Sequence, residues 1–409
     1  MKYEKYKDSG VEWIGEVPSH WEVCAFKRKI TINNGKDYKD FSDNEIYPVM
    51  GSGGCFAYCA KFMYDGEALL MGRKGTIDKP LYINGKFWAV DTMFYAVPTK
   101  DLHCKFAYYL ALTFPYSLYS TSTALPSMTQ TDLGNNPVAF PPFAEQQAIA
   151  AYLDEKCKEI NRAIDVQKKK IDLLNELKQT IITNAVTKGL DPNAPMKDSG
   201  VEWIGKVPSH WEVMRLRFAC EFRNGYTPSK ANPDFWENGS IPWYRMEDIR
   251  ESGRFLNEAK QYITRKAVKG NGLFEAGSFI LATTATIGEH AVLIADSLAN
   301  QRFTNLKIRK SLSNRLSRDF FFYYLFVIDD YCKSTTRTAT FPAVNMDDLK
   351  NFGVTIPPLQ EQQAIVAHIE DEVGKIDSRI SRANRRIELL EELMQSIITE
   401  AVTGKIKVC

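Results

Sequence analysis

The sequence predicts an α+β chain: two tandem modules of mixed α/β structure, each followed by a long helix, the two helices pairing as an antiparallel coiled coil with pseudo-twofold symmetry. Three observations carry this. First, Lys7–Val23 reads KDSGVEWIGEVPSHWEV and Lys197–Val213 reads KDSGVEWIGKVPSHWEV, one substitution apart over 17 positions. Second, the tract from Pro141 to Thr187 returns from Pro357 to Thr403 with about half its positions identical. Third, the stretches between these repeats are β-rich runs punctuated by turn residues, and they differ between the copies. A period of roughly 200 residues marks duplicated domains, because solenoid repeats stop near 50. The implied segments are a first module (residues 1–140), a central helix (141–187), a linker (188–196), a second module (197–356) and a C-terminal helix (357–409).

Each unit opens on the duplicated lead. Its tryptophans, Trp13 and Trp21 in one copy and Trp203 and Trp211 in the other, read as anchors of the core or of a domain junction. An identical feature cannot discriminate two different targets, so what differs between the units must lie in the divergent bodies.

The first body carries short β-rich runs at Ile46–Val49, Ala68–Met71, Leu81–Ile83 and Phe87–Val97, then a helical stretch from Cys104 to Leu118. Asn84-Gly85 between two of the runs predicts a hairpin turn. The second body repeats the order: Ser278–Ala282, a loop Thr283 to Gly288, Ala291–Ile294, Phe303–Ile308 and an aromatic helix near Asp319–Ile328. Both close on a Pro-containing segment, Ala124-Leu125-Pro126-Ser127-Met128 and Thr340-Phe341-Pro342-Ala343-Val344. The loops Gly72-Arg73-Lys74-Gly75-Thr76 and Thr283 to Gly288 put basic and hydroxyl side chains at a hairpin tip. Two readings stand: a plain turn, or a tip that reaches base edges, Arg bidentate to guanine and Thr by hydroxyl or methyl. Asn300-Gln301-Arg302 has the residue types suited to adenine and guanine edges, or is a surface strand start.

Pro141-Pro142 opens a run from Ala144 to Thr187 without proline or glycine, long enough for a helix of about 60 Å. Apolar residues recur by threes and fours at Ile149, Leu153, Cys157, Ile160, Ile164, Ile171, Leu174, Ile181 and Ala185. The second copy has Ile365, Ile369, Val373, Ile376, Ile380, Ala383, Ile387, Leu390, Met394, Ile397 and Ala401. That spacing is a coiled-coil seam. Gln167 and Lys178 interrupt the first seam, either to set register or at a frayed or partner-facing edge. Lys168-Lys169-Lys170 reads as a solvated helix face.

Composition narrows the function classes. The chain has 409 residues, 44% of them hydrophobic, enough for two cores. Eight cysteines without a CxxC pair and five histidines give no metal-ligand spacing. No signal-peptide core or membrane-length apolar run is present, so a cytoplasmic protein is expected. Net charge is only +2, with a modest basic excess in the second body (Arg215, Arg217, Arg223, Arg245, Arg302, Arg309, Arg337), which permits nucleic-acid binding without demanding it. Motifs of catalysis are missing or broken. Phe140-Pro141-Pro142-Phe143 has Phe where an amino-methyltransferase motif needs Asp, Asn or Ser. Gly51-Ser52-Gly53-Gly54 does not lead into a helix, and Pro233-Asp234 with Glu237 lacks the lysine of a nuclease metal site.

The lead DSGVEWIGEVPSHWEV, the tract PPFAEQQAIAAYLDEK and its recurrence PPLQEQQAIVAHIEDE, with NGYTPSK and IPWYRMEDI, resemble the specificity subunit of type I restriction–modification systems across essentially the whole chain. The resemblance implies a non-catalytic subunit without cofactors of its own. Its two target recognition domains would each read half of a bipartite, asymmetric site in double-stranded DNA, with the helices as spacer. It also implies two modification subunits and restriction subunits as partners, which bring S-adenosylmethionine, ATP and Mg. On this reading the DNA-facing residues are Arg73, Lys74, Thr76, Ser127, Thr129 and Gln130 in the first module, and Thr283, Thr284, Thr286, Gln301, Arg302, Thr340 and Asn345 in the second. The alternatives are a sequence-specific DNA-binding regulator and a scaffold that binds only proteins.

Overall fold

The computed structural model describes residues 2–41, 46–119, 126–336 and 343–408. Two compact units emerge: residues 1–169 with 383–409, and residues 170–382. Each contains one body and a stretch of both long helices.

In the first unit a six-stranded sheet runs in the order Ile30–Asn34, Met93–Pro98, Tyr64–Gly72, Leu81–Ala89, Tyr47–Gly51, Gly54–Cys59. All its pairings are antiparallel except Tyr47–Gly51 on Leu81–Ala89. The second unit has a five-stranded sheet in the order Cys220–Asn224, Phe303–Ile308, Phe279–Ala282, His290–Leu293, Phe255–Leu256. Beside it, Ile241–Tyr244 runs parallel to Leu298–Ala299, the counterpart of the parallel pair in the first body.

The Asn84-Gly85 hairpin is not formed. Leu81–Ala89 is one continuous strand along Tyr64–Gly72, with Gly85 facing Gly66 across the ladder. The actual reversal lies between Gly72 and Leu81, and pairing of the flanking strands overrides the local turn preference. The run Phe87–Val97 is likewise two strands, broken between Ala89 and Met93. The expected helix from Cys104 to Leu118 is two, Cys104–Ala111 and Tyr116–Tyr119, because Pro115 cannot continue the first.

The central helix spans Phe143–Lys188 and the C-terminal helix Leu359–Val402. Their direction follows from which turns share a core. In the first unit Ile149 and Leu153, near the start of the central helix, are buried with Ile398 and Ala401, near the end of the other. In the second unit Ile182 and Ala185, near the end of the central helix, are buried with Ile365 and Ile369. The helices are therefore antiparallel. Of the remaining seam positions, Ile160, Ile164, Leu174, Ile376 and Ala383 are buried, while Ile171, Ile181, Ile380, Ile387, Leu390 and Ile397 are half-buried. Near each helix end the buried residue is one place later than the heptad expects, Ile182 and Ile398 rather than Ile181 and Ile397. A helix of 3.6 residues per turn drifts from a seven-residue repeat by about 20° per heptad, and the last turns face the bodies. Lys178 is no frayed interruption: its ammonium binds Asp377 of the other helix at 2.8 Å.

The duplicated leads join body to helix in the same way twice. Each folds as a small ladder, Tyr6–Asp8 on Glu16–Pro18 and Met196–Asp198 on Lys206–Pro208. Each then enters a strand that pairs with the one preceding Pro-Pro, Glu22–Ala25 with Pro137–Phe140 and Glu212–Arg215 with Gly353–Ile356. Trp21 and Trp211 are fully buried. Their indole N–H groups donate to Glu145 and Glu361 at 3.3 and 2.8 Å, in the first turn of each long helix. The next residue completes the junction. Buried Gln146 accepts from the His103 backbone N–H and donates to the carbonyls of Asp101 and Pro141. Gln362 accepts from the Ser317 N–H and donates to the carbonyls of Arg315 and Pro357. The repeated Glu-Gln-Gln is thus a clamp that ties lead, body helix and long helix together.

Candidate nucleic-acid interface

The same backbone hydrogen bonds recur in the two bodies at positions whose side chains differ. In the first, Arg73 N–H donates to the Thr92 carbonyl at 2.8 Å and Met128 N–H to the Arg73 carbonyl at 3.0 Å. In the second, Thr283 N–H donates to the Arg302 carbonyl and Val344 N–H to the Thr283 carbonyl, both at 2.9 Å. Lys74 bridges to Ser127 as Thr284 does to Ala343. The next residue has a left-handed backbone in both, Gly75 at φ 84° and Ala285 at φ 66°. Thr129 and Asn345 each cap a short helix, Gln130–Asn135 and Met346–Asn351, by accepting a backbone N–H.

This frame sorts the expected DNA-facing residues. Lys74 and Thr284 are exposed at the loop tips, and Thr76 and Thr286 are half-exposed beside them. The Arg73 guanidinium lies 5.9 Å from the Phe94 ring centroid and donates to the Asp91 carbonyl at 3.4 Å. Arg302 is exposed, and Gln301 accepts from the Thr227 hydroxyl at 2.5 Å, which joins the NGYTPSK segment to the same surface. Ser127 is half-buried against Lys74. Thr129, Gln130 and Asn345 are exposed, although Gln130 donates to the Ile32 carbonyl at 2.6 Å. Thr283 departs from the expectation. It is only 6% exposed and its hydroxyl is engaged with Thr304 at 3.0 Å, so its side chain holds the loop from inside. Thr340 and Arg337 lie outside the described residues, as do Ala124, Leu125, Phe341 and Pro342.

Behind the second loop sits His290, whose Nδ1 lies 2.9 Å from the Gly288 carbonyl. Burial pushes its pKa down to about 4, which keeps the ring neutral. Nearby, burial raises the Asp329 carboxyl despite its ion pair with Lys333 at 2.8 Å. Burial also pushes the Cys104 and Cys332 thiols up to about 12, which makes them inert packing residues. Among the described residues no group of His, Cys, Asp or Glu is arranged to hold a metal ion, and no helix is long and apolar enough to cross a membrane.

A family model described as the type I restriction modification DNA specificity domain matches residues 18–176 and again residues 208–389. The chain belongs to that family. Its two matches cover both bodies and most of both long helices, so the specificity domain occurs twice. The EcoprrI specificity subunit of Escherichia coli, a type I restriction enzyme subunit, is 42% identical over 185 residues, 45% of this chain and 46% of that protein. The chain thus aligns with about half the length of this relative. The MjaVIII specificity subunit of Methanocaldococcus jannaschii is 23% identical over 96% of this chain and 94% of its own. Among solved structures, a chain of a type I R-M system studied for complex assembly and conformational transition shares the fold, with TM-score 0.69 and 16% identity over 95% of this chain and 99% of that one.

Sequence reasoning missed the positions that complete each frame, because they come from distant segments. Arg254 is a second example. It binds Asp319 at 2.7 Å and Glu370 at 2.9 Å and lies 4.6 Å from the Phe322 ring centroid, fastening the second body to the C-terminal helix. At the matching junction of the first body Lys105 binds Asp154 directly. No local pattern around Arg254 announces that role.

Proposed function

We propose that this chain is the DNA sequence-specificity subunit of a type I restriction–modification complex, with each body reading one half of a bipartite, asymmetric site. The observation that carries the reading is the repeated backbone frame with exchanged side chains. Arg73 occupies the position of Thr283, Lys74 that of Thr284, Thr92 that of Arg302 and Ser127 that of Ala343. Two readers that must meet DNA in one geometry yet recognise different bases need the same scaffold and different donors and acceptors. Residues 1–140 and 197–356 then act as target recognition domains, and the helices at 141–187 and 357–409, joined through the linker 188–196, as spacer. The DNA-facing set is Arg73, Lys74, Thr76, Ser127, Thr129 and Gln130 with Thr284, Thr286, Gln301, Arg302 and Asn345.

The repeated leads and helices offer two equivalent surfaces to two modification subunits, and restriction subunits complete the complex. Methyl transfer, translocation and cleavage fall to these partners with their S-adenosylmethionine, ATP and Mg, and the complex works in the cytoplasm. A near-neutral net charge of +2 fits a reader whose partners supply much of the phosphate grip. The test is a modified-base map of the host genome with and without this gene. Loss of one bipartite methylated motif supports the assignment, and an unchanged map overturns it.

A further inference from the structure

A second turn belongs to the frame, and its second residue, Asp91 in one body and Gln301 in the other, is exposed in both. In the first body it is Val90-Asp91-Thr92-Met93, closed by Met93 N–H donating to the Val90 carbonyl at 2.9 Å. In the second it is Asn300-Gln301-Arg302-Phe303, closed by Phe303 N–H donating to the Asn300 carbonyl at 3.1 Å. Each turn hangs on the same contacts. Val90 N–H donates to the Met50 carbonyl and Asn300 N–H to the Tyr244 carbonyl, both at 3.1 Å. Gly35 N–H reaches the Met93 carbonyl at 2.9 Å and Gly225 N–H the Phe303 carbonyl at 2.8 Å. A Cβ on Gly35 would fall 2.0 Å from the Val90 carbonyl oxygen, and one on Gly225 2.1 Å from that of Asn300, so only glycine allows the approach. Through its third residue each turn holds the loop already described, since Thr92 and Arg302 supply the carbonyls that accept from Arg73 and Thr283. Asp91 therefore stands where Gln301 stands.

We infer that Asp91 is a specificity-determining residue of the first body, reading an exposed amino group on a base edge in the major groove. This rests on the proposed DNA-reading function and deepens it. Asp91 is exposed, and its carboxylate only accepts hydrogen bonds. Phosphate offers it repulsion and no donor, so the DNA groups it fits are base amino groups, above all the cytosine N4 amine. Arg73 and Lys74 sit beside it on the loop the turn holds, and their positive charge offsets the cost of bringing a carboxylate to DNA. Gln301 at the matched position has the amide suited to adenine. The two halves of the site then differ at equivalent steps because an acceptor-only group replaces a donor–acceptor group.

The full chain is expressed with its modification subunits as wild type, Asp91→Ala, Asp91→Asn and Gln301→Ala, and the methylated sites are mapped genome-wide. Asp91→Ala is expected to lower discrimination at one base pair of one half-site by roughly tenfold or more, with the other half and the gap unchanged. Gln301→Ala should broaden the opposite half. The inference is overturned if Asp91→Ala leaves the motif as specific as wild type, if it broadens the half that Gln301→Ala broadens, or if both Asp91 variants abolish methylation. Absence of a bipartite motif with the wild-type chain instead overturns the functional assignment on which it rests.

Discussion

The indole N–H of Trp211 donates to Glu361 at 2.8 Å, tying the end of the second lead to the first turn of the C-terminal helix. His210 binds the other carboxylate oxygen at 2.6 Å. Trp21, His20 and Glu145 repeat the arrangement in the first unit. Glu361→Ala removes the acceptor of a fully buried indole and should cost about 1–3 kcal/mol, seen as a lower melting temperature or denaturant midpoint. The methylated motif should keep its bases, because the clamp is common to both units. Unchanged stability would contradict the role given to the clamp.

Ala285 holds φ 66° where the matched residue is Gly75 at φ 84°. The left-handed backbone costs a residue with a Cβ about 1–2 kcal/mol, partly offset in a glycine variant by its freer unfolded chain. Ala285→Gly should stabilise the protein by about 0.5–1 kcal/mol and Gly75→Ala should destabilise it by a similar amount. Denaturant titration reads both, and a loss of stability in Ala285→Gly would contradict the frame.

A buried neutral His290 makes stability depend on pH in one direction. With the folded pKa near 4 and an ordinary value of 6.5, the unfolded chain takes up the proton first as pH falls. His290's contribution is therefore full above pH 6.5 and lost progressively down to pH 4. Asp329, whose pKa is raised by burial, acts in the opposite sense, because its protonated form suits the fold. Comparing His290→Gln with wild type isolates the first effect: melting temperature should fall less across this window in the variant. An equal fall in both would contradict it.

The parts of the molecule built from local signals were legible in sequence. The Pro-Pro entry, the proline-free run and the recurring Ile149, Leu153, Ile160 and Ile164 identify a helix with a buried seam, and its near-copy supplies the partner. Asn84-Gly85 misled because a local turn preference yields to the continuous pairing of Leu81–Ala89 with Tyr64–Gly72. Of the proposed DNA-facing residues, local sequence singles out those that one loop exposes at its tip, Lys74 and Thr284. Thr283 looked like a loop-tip hydroxyl, yet its N–H bond to the Arg302 carbonyl continues the pairing of Phe279–Ala282 with Phe303–Ile308 by one residue, and its hydroxyl turns inward to Thr304. Asp91 was invisible, since its meaning comes from a match to Gln301 that exists only when Gly35, Met50 and Val90 meet, as Gly225, Tyr244 and Asn300 do.

If the helix pair sets the gap between half-sites, its length should be readable in DNA. Inserting one heptad at matched positions in both helices adds about 10 Å of rise, equivalent to roughly three base pairs. The methylated motif should keep both halves and gain about that many unspecified positions. A gap of unchanged length would contradict the spacer role.

The central claim, one body for one half-site, is tested most directly by mapping methylated bases with Arg73→Ala and Arg302→Ala in otherwise identical complexes. The account predicts that Arg73→Ala relaxes one half only, that Arg302→Ala relaxes the other half only, and that the gap is the same in both. Relaxation of both halves by either substitution, or of neither half by both, would contradict it.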